Sequence, residues 1–135
     1  MEDYVKKAIE TDNSDIEGII KRLSDPMTAR LIHALLGMVT EVGEFADTLK
    51  KWVIYGKGLD IKNLMEEIGD QQWYQAIAVD ELGYDSFHII QKLNIAKLRA
   101  RYPNKFNEQD ALNRNLDKEK EIINDAGTGK TSTTD

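Results

Sequence analysis

Four acidic residues have a spacing that could hold a divalent metal ion. Glu41 and Glu44 lie three residues apart, and Glu67 and Asp70 repeat this spacing further along the chain. Residues three apart on a helix share one side of it, so each pair projects from a single face. Oxygen ligands of this kind are those that hard divalent ions such as Mg²⁺ take. The two pairs therefore predict a metal site between two helices.

The alternative is that these acids are ordinary solvated helix surface, where most acidic side chains lie. Two features favour the metal site. No lysine follows Glu41, Glu44 or Glu67 by four residues to offset the repulsion within each pair. Both pairs also flank aromatic or apolar positions. Four carboxylates that converge between helices would repel strongly unless cations neutralised them.

Two long amphipathic helices are predicted to carry these acids. Apolar residues recur every three or four positions from residue 27 to 53, which is typical of an amphipathic helix. Ser24-Asp25-Pro26 supplies its start and Tyr55-Gly56-Lys57-Gly58 its end. Asp60 can cap the second helix, which Gly83 stops. A third helix can begin at Asp85 or Ser86 and ends at the Tyr102-Pro103 break.

Length and composition set the class of protein. The 135 residues suit one domain, and 9 glycines and 2 prolines favour long helices over many short strands. A formal net charge of −6 argues against duplex nucleic acid as a partner. The chain has no cysteine and no apolar run of about 20 residues that could span a membrane. We expect a cytoplasmic, all-α protein.

The predicted organisation has four parts. An N-terminal helical segment covers residues 1–25, the helical core covers 26–106, a weak C-terminal helix covers 107–125, and a disordered tail covers 126–135. The middle helix of the core has two faces that need to be buried, so one small subunit cannot cover all the apolar positions of its helices. Symmetric association is the usual solution, and we expect at least a dimer.

The sequence around the acids resembles a known family. Glu41-Val-Gly-Glu44 followed by Glu67-Ile-Gly-Asp70 resembles the ExxE and ExxD signature of the MazG-like, all-α nucleoside triphosphate pyrophosphohydrolases. The flanks are similar as well, over residues 30–106. They are Leu31-Ile-His-Ala-Leu-Leu-Gly, Gln72-Trp-Tyr and Asn94-Ile-Ala-Lys97-Leu-Arg-Ala-Arg101-Tyr-Pro.

The resemblance implies a function and an assembly. The fold would be a bundle of three to five helices assembled as a homodimer or homotetramer, with residues 26–106 as the catalytic core. Glu41, Glu44, Glu67 and Asp70 would be the catalytic and metal-binding set for Mg²⁺, with Mn²⁺ as a substitute. The reaction would convert a nucleoside triphosphate and water to the monophosphate and diphosphate, as nucleotide-pool house-cleaning. The alternative is a non-catalytic module for nucleotide sensing or protein interaction on the same fold.

Six further residues are candidate substrate contacts. Asn94, Lys97 and Arg101 form one polar stripe that could meet phosphates, although lysine and arginine stems also cover apolar surface. Tyr74 shares a stripe with Glu67 and Asp70 and could pack on the base or sugar. Trp52 could do the same, and core packing explains it equally well. His33 lies eight residues before Glu41 and is the weakest of the six.

Overall fold

The computed structural model describes residues 3–13 and 15–124, and that part of the chain forms seven α-helices and no strand. The all-α class is therefore confirmed, but seven helices stand where three to five were expected. The predicted tail, 126–135, lies outside these residues. The helices are α1 (Tyr4–Ile9), α2 (Ile16–Leu23), α3 (Pro26–Val53), α4 (Ile61–Glu81), α5 (His88–Arg101), α6 (Glu108–Leu112) and α7 (Leu116–Asn124).

Helix α3 begins where the sequence predicts. The Asp25 carboxylate accepts a hydrogen bond from the Thr28 amide at 2.9 Å, and Pro26 occupies the first turn, where its missing N–H costs nothing. After α3 ends at Val53, Gly56 adopts a left-handed φ of 65°. A residue with a Cβ is strained in that conformation, so glycine is suited to this turn.

Helix α4 runs back along α3 and forms the main hairpin of the protein with it. Asp60 caps α4, as predicted, because its carboxylate accepts a hydrogen bond from the Asn63 backbone amide at 3.0 Å. Arg30, near the start of α3, pairs with Asp80 at 2.7 Å and Glu81 at 3.1 Å, at the end of α4. The two helices are therefore antiparallel, and this register brings the middle of one beside the middle of the other.

The prediction for the start of α5 was wrong. Neither Asp85 nor Ser86 caps this helix, which begins at His88 after Phe87, with no side-chain hydrogen bond at the cap. Asp85 and Ser86 lie in the bends between Gly83 and the helix, and Phe87 takes the cap position in their place. The end of α5 is as expected, because the backbone of Tyr102, at φ −121° and ψ 83°, leaves the helical conformation before Pro103.

Helix α5 packs on α7, and a carboxylate fixes this contact. Glu119 of α7 is 6% exposed and accepts two hydrogen bonds from Arg101, at 2.9 and 2.6 Å. Arg114 adds two more, at 3.3 and 2.7 Å. Hydrogen bonds from Arg101, then from Arg114, lower the pKa of Glu119 to about 2. The C-terminal part is thus two helices tied back to α5, instead of one weak helix.

Little apolar surface is buried within one subunit. Of the apolar side chains in the described ranges, only Ala34 and Val79 are buried. Leu36 and Val39 on α3 are each 60% exposed, and Met65 on α4 is 69% exposed. In the same ranges, no helix has both the length and the apolar character needed to cross a membrane.

Candidate metal centre

Three of the four predicted acids meet between α3 and α4. Glu41 on α3 and Glu67 and Asp70 on α4 each offer a carboxylate oxygen, and these oxygens all lie within 4.8 Å of one another. The antiparallel register of the hairpin produces this meeting, because it sets the middle turns of the two helices side by side. We call these three residues the carboxylate cluster.

Glu67 is the most enclosed member of the carboxylate cluster. Its side chain is only 3% exposed, whereas Glu41 is half-buried and Asp70 is exposed. Burial is the main cause that raises the pKa of Glu67, and a hydrogen bond with Glu41 is the next. The negative charges of Glu41 and Asp70 act in the same direction. The cluster is therefore a site of crowded negative charge.

The carboxylate cluster has a supporting amide that sequence reasoning missed. Asn63 donates from Nδ2 to Oε1 of Glu67 at 2.7 Å, and its Oδ1 accepts a hydrogen bond from the Thr48 hydroxyl of α3. Thr48 is itself buried, at 6% exposed. The available signal was the spacing, since Asn63 precedes Glu67 by four residues and so shares its face of α4.

Glu44 lies outside the carboxylate cluster. It is exposed and lines a neighbouring cavity together with Asp47 and Lys51. Residues three apart on a helix share one side of it but still differ by about 60° around its axis, and of this pair Glu41 is the residue that joins the cluster. Glu44 lines the neighbouring cavity instead.

The donor set fits a magnesium ion. Mg²⁺ prefers hard oxygen ligands and is usually held by one or two carboxylates together with water and substrate phosphates. The carboxylate oxygens of Glu41, Glu67 and Asp70, within 4.8 Å of one another, are donors of this kind and would be the residues to hold such an ion. The raised pKa of Glu67 fits as well, because a cation would relieve the crowding that disfavours its ionised form.

Tyr74 lies one turn beyond Asp70 and packs against the backbone of α3. A Cβ atom built on Gly37 would fall 2.1 Å from the Tyr74 ring, so only glycine leaves room for this contact. The rings of His33 and Tyr74 meet edge to face at 5.8 Å, and Trp73 does so with Tyr74 at 4.8 Å. Tyr74 and His33 are thus brought together on the hairpin beside the cluster.

The other predicted substrate contacts lie elsewhere. Trp52 is 46% exposed near the end of α3, about 16 Å along the helix axis from Glu41. The stripe of Asn94, Lys97 and Arg101 is on α5, which packs on α7 instead of on α3 or α4. Asn94 is exposed, Lys97 lines a mainly apolar pocket of about 310 Å³ beside α7, and Arg101 is held by Glu119. The stripe is therefore not brought to the carboxylate cluster by the main helix contacts of the chain.

Comparison of the chain with protein-family models, with curated proteins and with solved structures gave no match in any of the three. The carboxylate cluster and its surroundings are therefore the features of the protein that bear on its function.

Proposed function

We propose that this protein is a Mg²⁺-dependent nucleoside triphosphate pyrophosphohydrolase of the MazG-like kind. It would convert a nucleoside or deoxynucleoside triphosphate and water to the monophosphate and diphosphate, in a cytoplasmic role of cleaning or adjusting the nucleotide pool. The observation that carries the proposal is the convergence of Glu41, Glu67 and Asp70 within 4.8 Å. These are three of the four acids on which the family resemblance rests.

The chain's own residues would have separate roles in this reaction. Glu41, Glu67 and Asp70 hold the ion, and Asn63 fixes the orientation of Glu67 by its 2.7 Å hydrogen bond. When bound, the ion supplies charge neutralisation and polarises a phosphoryl oxygen. Glu44 has a carboxylate outside the carboxylate cluster, so we assign it the proton of the attacking water.

The bonds change as in a hydrolysis at the α phosphorus. The water oxygen bonds to that phosphorus, and the bond to the oxygen that bridges the α and β phosphates breaks. Its electron pair leaves with the diphosphate, and the water proton goes to Glu44. A triphosphate carries several negative charges, so an acidic site can hold it only with bridging cations.

The working form of the enzyme in this proposal is a homodimer or homotetramer. Its support is the apolar surface that one subunit leaves uncovered on α3 and α4, including Leu36, Val39 and Met65. Exposed apolar surface on this scale marks an interaction site. A second copy that covers both helices would also enclose the carboxylate cluster from the open side of the hairpin.

The proposal is tested by incubating the protein with each nucleoside and deoxynucleoside triphosphate and Mg²⁺, and measuring diphosphate and orthophosphate separately. We expect diphosphate from at least one substrate. Glu67→Gln should abolish its release, and the matched control Glu66→Gln, which removes the same charge from an exposed neighbour, should retain it. Orthophosphate with a diphosphate nucleotide, or no cleavage of any substrate, would overturn the proposal.

A further inference from the structure

A polar groove lies beside the carboxylate cluster, on the side of the loop that joins α3 and α4. It consists of two cavities of about 500 and 350 Å³, which share Thr48, Lys51 and Asn63 in their walls. The first cavity includes Thr40, whose hydroxyl lies 3.4 Å from a carboxylate oxygen of Glu41, and the second ends at Lys57. The combined space is within the range of pockets that hold small ligands.

Hydrogen bonds join wall residues of the groove to the carboxylate cluster. Asn63 contacts Glu67 at 2.7 Å on one side and Thr48 on the other, and both Asn63 and Thr48 line the two cavities. The groove therefore offers space beside the cluster, along the hairpin toward the loop.

The turn after α3 brings two lysines to the far end of the groove. Gly56, with its left-handed φ of 65°, reverses the chain so that the Lys57 amide donates to the Lys51 carbonyl oxygen at 3.1 Å. This is the hydrogen bond of a glycine-terminated helix end. Lys51 and Lys57 are six residues apart in sequence, yet both line the second cavity.

Both lysines are available to an anion. Within residues 3–13 and 15–124, no hydrogen bond or ion pair engages the Lys57 ammonium. Lys51 pairs with Asp47 at 2.8 Å, but Lys50 also holds Asp47, at 2.6 Å, and all three side chains are well exposed. Exposed pairs contribute little, so Lys51 can leave Asp47 to Lys50. Glu44, Asp47 and Asp60 also line the groove, and Asp60 accepts a hydrogen bond from the Asn63 backbone amide at 3.0 Å.

We propose that Lys51 and Lys57 bind the terminal phosphates of the substrate, which leave together as diphosphate. This inference rests on the proposed function, because it takes the reacting phosphate to lie at the carboxylate cluster. The remaining phosphates then need cationic groups close to the cluster, and the groove beside it offers Lys51 and Lys57. When the bond at the α phosphorus breaks, negative charge grows on the leaving diphosphate, and two ammonium groups offset it.

The experiment measures binding of inorganic diphosphate by calorimetry, without metal and with Mg²⁺. Loss of a charge-assisted contact should weaken binding about ten-fold or more, so Lys57→Gln and Lys51→Gln should each do so and the double variant should do so further. The control Lys62→Gln removes a nearby charge from an exposed position outside the groove and should change binding by less than about two-fold. Nucleoside monophosphate should bind equally well to all these variants.

The outcomes separate this inference from the proposed function. Diphosphate release from a triphosphate together with unchanged diphosphate binding in both lysine variants would overturn the inference and leave the function standing. Weakened diphosphate binding in a protein that cleaves no triphosphate would overturn the function and keep the lysines as a diphosphate site. A monophosphate affinity that falls as much as the diphosphate affinity would also overturn the assignment, because it places the other end of the nucleotide at these lysines.

Discussion

Asn63 holds Glu67 in place through a 2.7 Å hydrogen bond from its side-chain amide, across one turn of α4. The bond uses Oε1 of Glu67 and so leaves Oε2 without this donor. The side-chain oxygen Oδ1 of Asn63 accepts a hydrogen bond from the Thr48 hydroxyl on α3, so the opposite helix fixes the side-chain amide itself. The orientation of the most buried carboxylate therefore depends on contact between both helices of the hairpin.

The first prediction concerns this support. Asn63→Ala should weaken Mg²⁺ binding about 10- to 100-fold, the usual effect of removing a residue that orients a metal ligand. The measurement is a Mg²⁺ titration followed by the rise in melting temperature. The control Gln75→Ala removes an exposed side-chain amide from the same helix and should bind Mg²⁺ as the parent does. Equal affinity in Asn63→Ala and the parent would contradict the role of Asn63.

Local signals predicted the two long helices well. Asp25 and Asp60 act on amides within three residues of themselves, and Gly56 turns the chain at its own position, so the sequence alone contains what is needed. The apolar spacing then places Glu41 and Glu67 on facing sides. This is why three acids of the carboxylate cluster could be predicted before their geometry was known.

Contacts between distant residues were not predictable in the same way. Arg101 shows no local sign of its partner, because Glu119 is 18 residues away and lies on a separate short helix. The sequence stripe of Asn94, Lys97 and Arg101 therefore indicated phosphate binding without revealing the ion pair. Glu44 was grouped with Glu41 by spacing, but only packing determines which of the two faces α4.

The second prediction concerns the close contact of Gly37 with Tyr74. Gly37→Ala places a methyl group 2.1 Å from the ring, and overpacking of this kind costs about 1–3 kcal/mol, against a gain of up to about 1 kcal/mol in helix propensity. We expect a lower melting temperature. In a Tyr74→Ala background the ring is absent, so the same change should stabilise. Equal effects in both backgrounds would show that the two residues do not touch.

The third prediction concerns the pH dependence of the α5–α7 contact. Arg101 and Arg114 lower the pKa of Glu119 from 4.5 to about 2, so the ionised carboxylate stabilises the folded state above pH 4.5. That stability is lost as the pH falls toward 2, because the carboxylate then takes up a proton. The melting temperature of the parent should exceed that of Glu119→Gln at pH 6, and the gap should narrow below pH 4.5. A gap independent of pH would contradict the ion pairing.

The fourth prediction concerns assembly. Val39→Asp puts a charge on the uncovered apolar face of α3, where it would be desolvated in an interface between copies. We expect light scattering to give the mass of the proposed dimer or tetramer for the parent and that of a monomer for this variant. Ile9→Asp is the control, since Ile9 on α1 is 65% exposed and Val39 is 60% exposed. If the mass of the assembly changed in both variants, or in neither, the α3 face would not be the interface.

The last prediction asks whether Lys97 serves the carboxylate cluster of another subunit. The main contact of α5 within its own chain is with α7, so we expect a substrate contact from Lys97 to come from another subunit of the proposed assembly. Lys97→Ala should then lower kcat/KM roughly ten- to a hundred-fold, whereas Lys92→Ala, an exposed lysine of the same helix, should change it little.

Mixing two variants tests directly whether Lys97 acts in the site of another subunit. When subunits carrying Glu67→Gln are mixed with subunits carrying Lys97→Ala, each mixed dimer gains one site with both native residues and one site with neither. With random exchange, activity should rise to about a quarter of the parent value. A Lys97 that serves its own chain leaves every mixed site with one altered residue, so activity would not rise. Absence of recovery, with exchange verified by mass spectrometry of tagged subunits, would place Lys97 outside the partner's site.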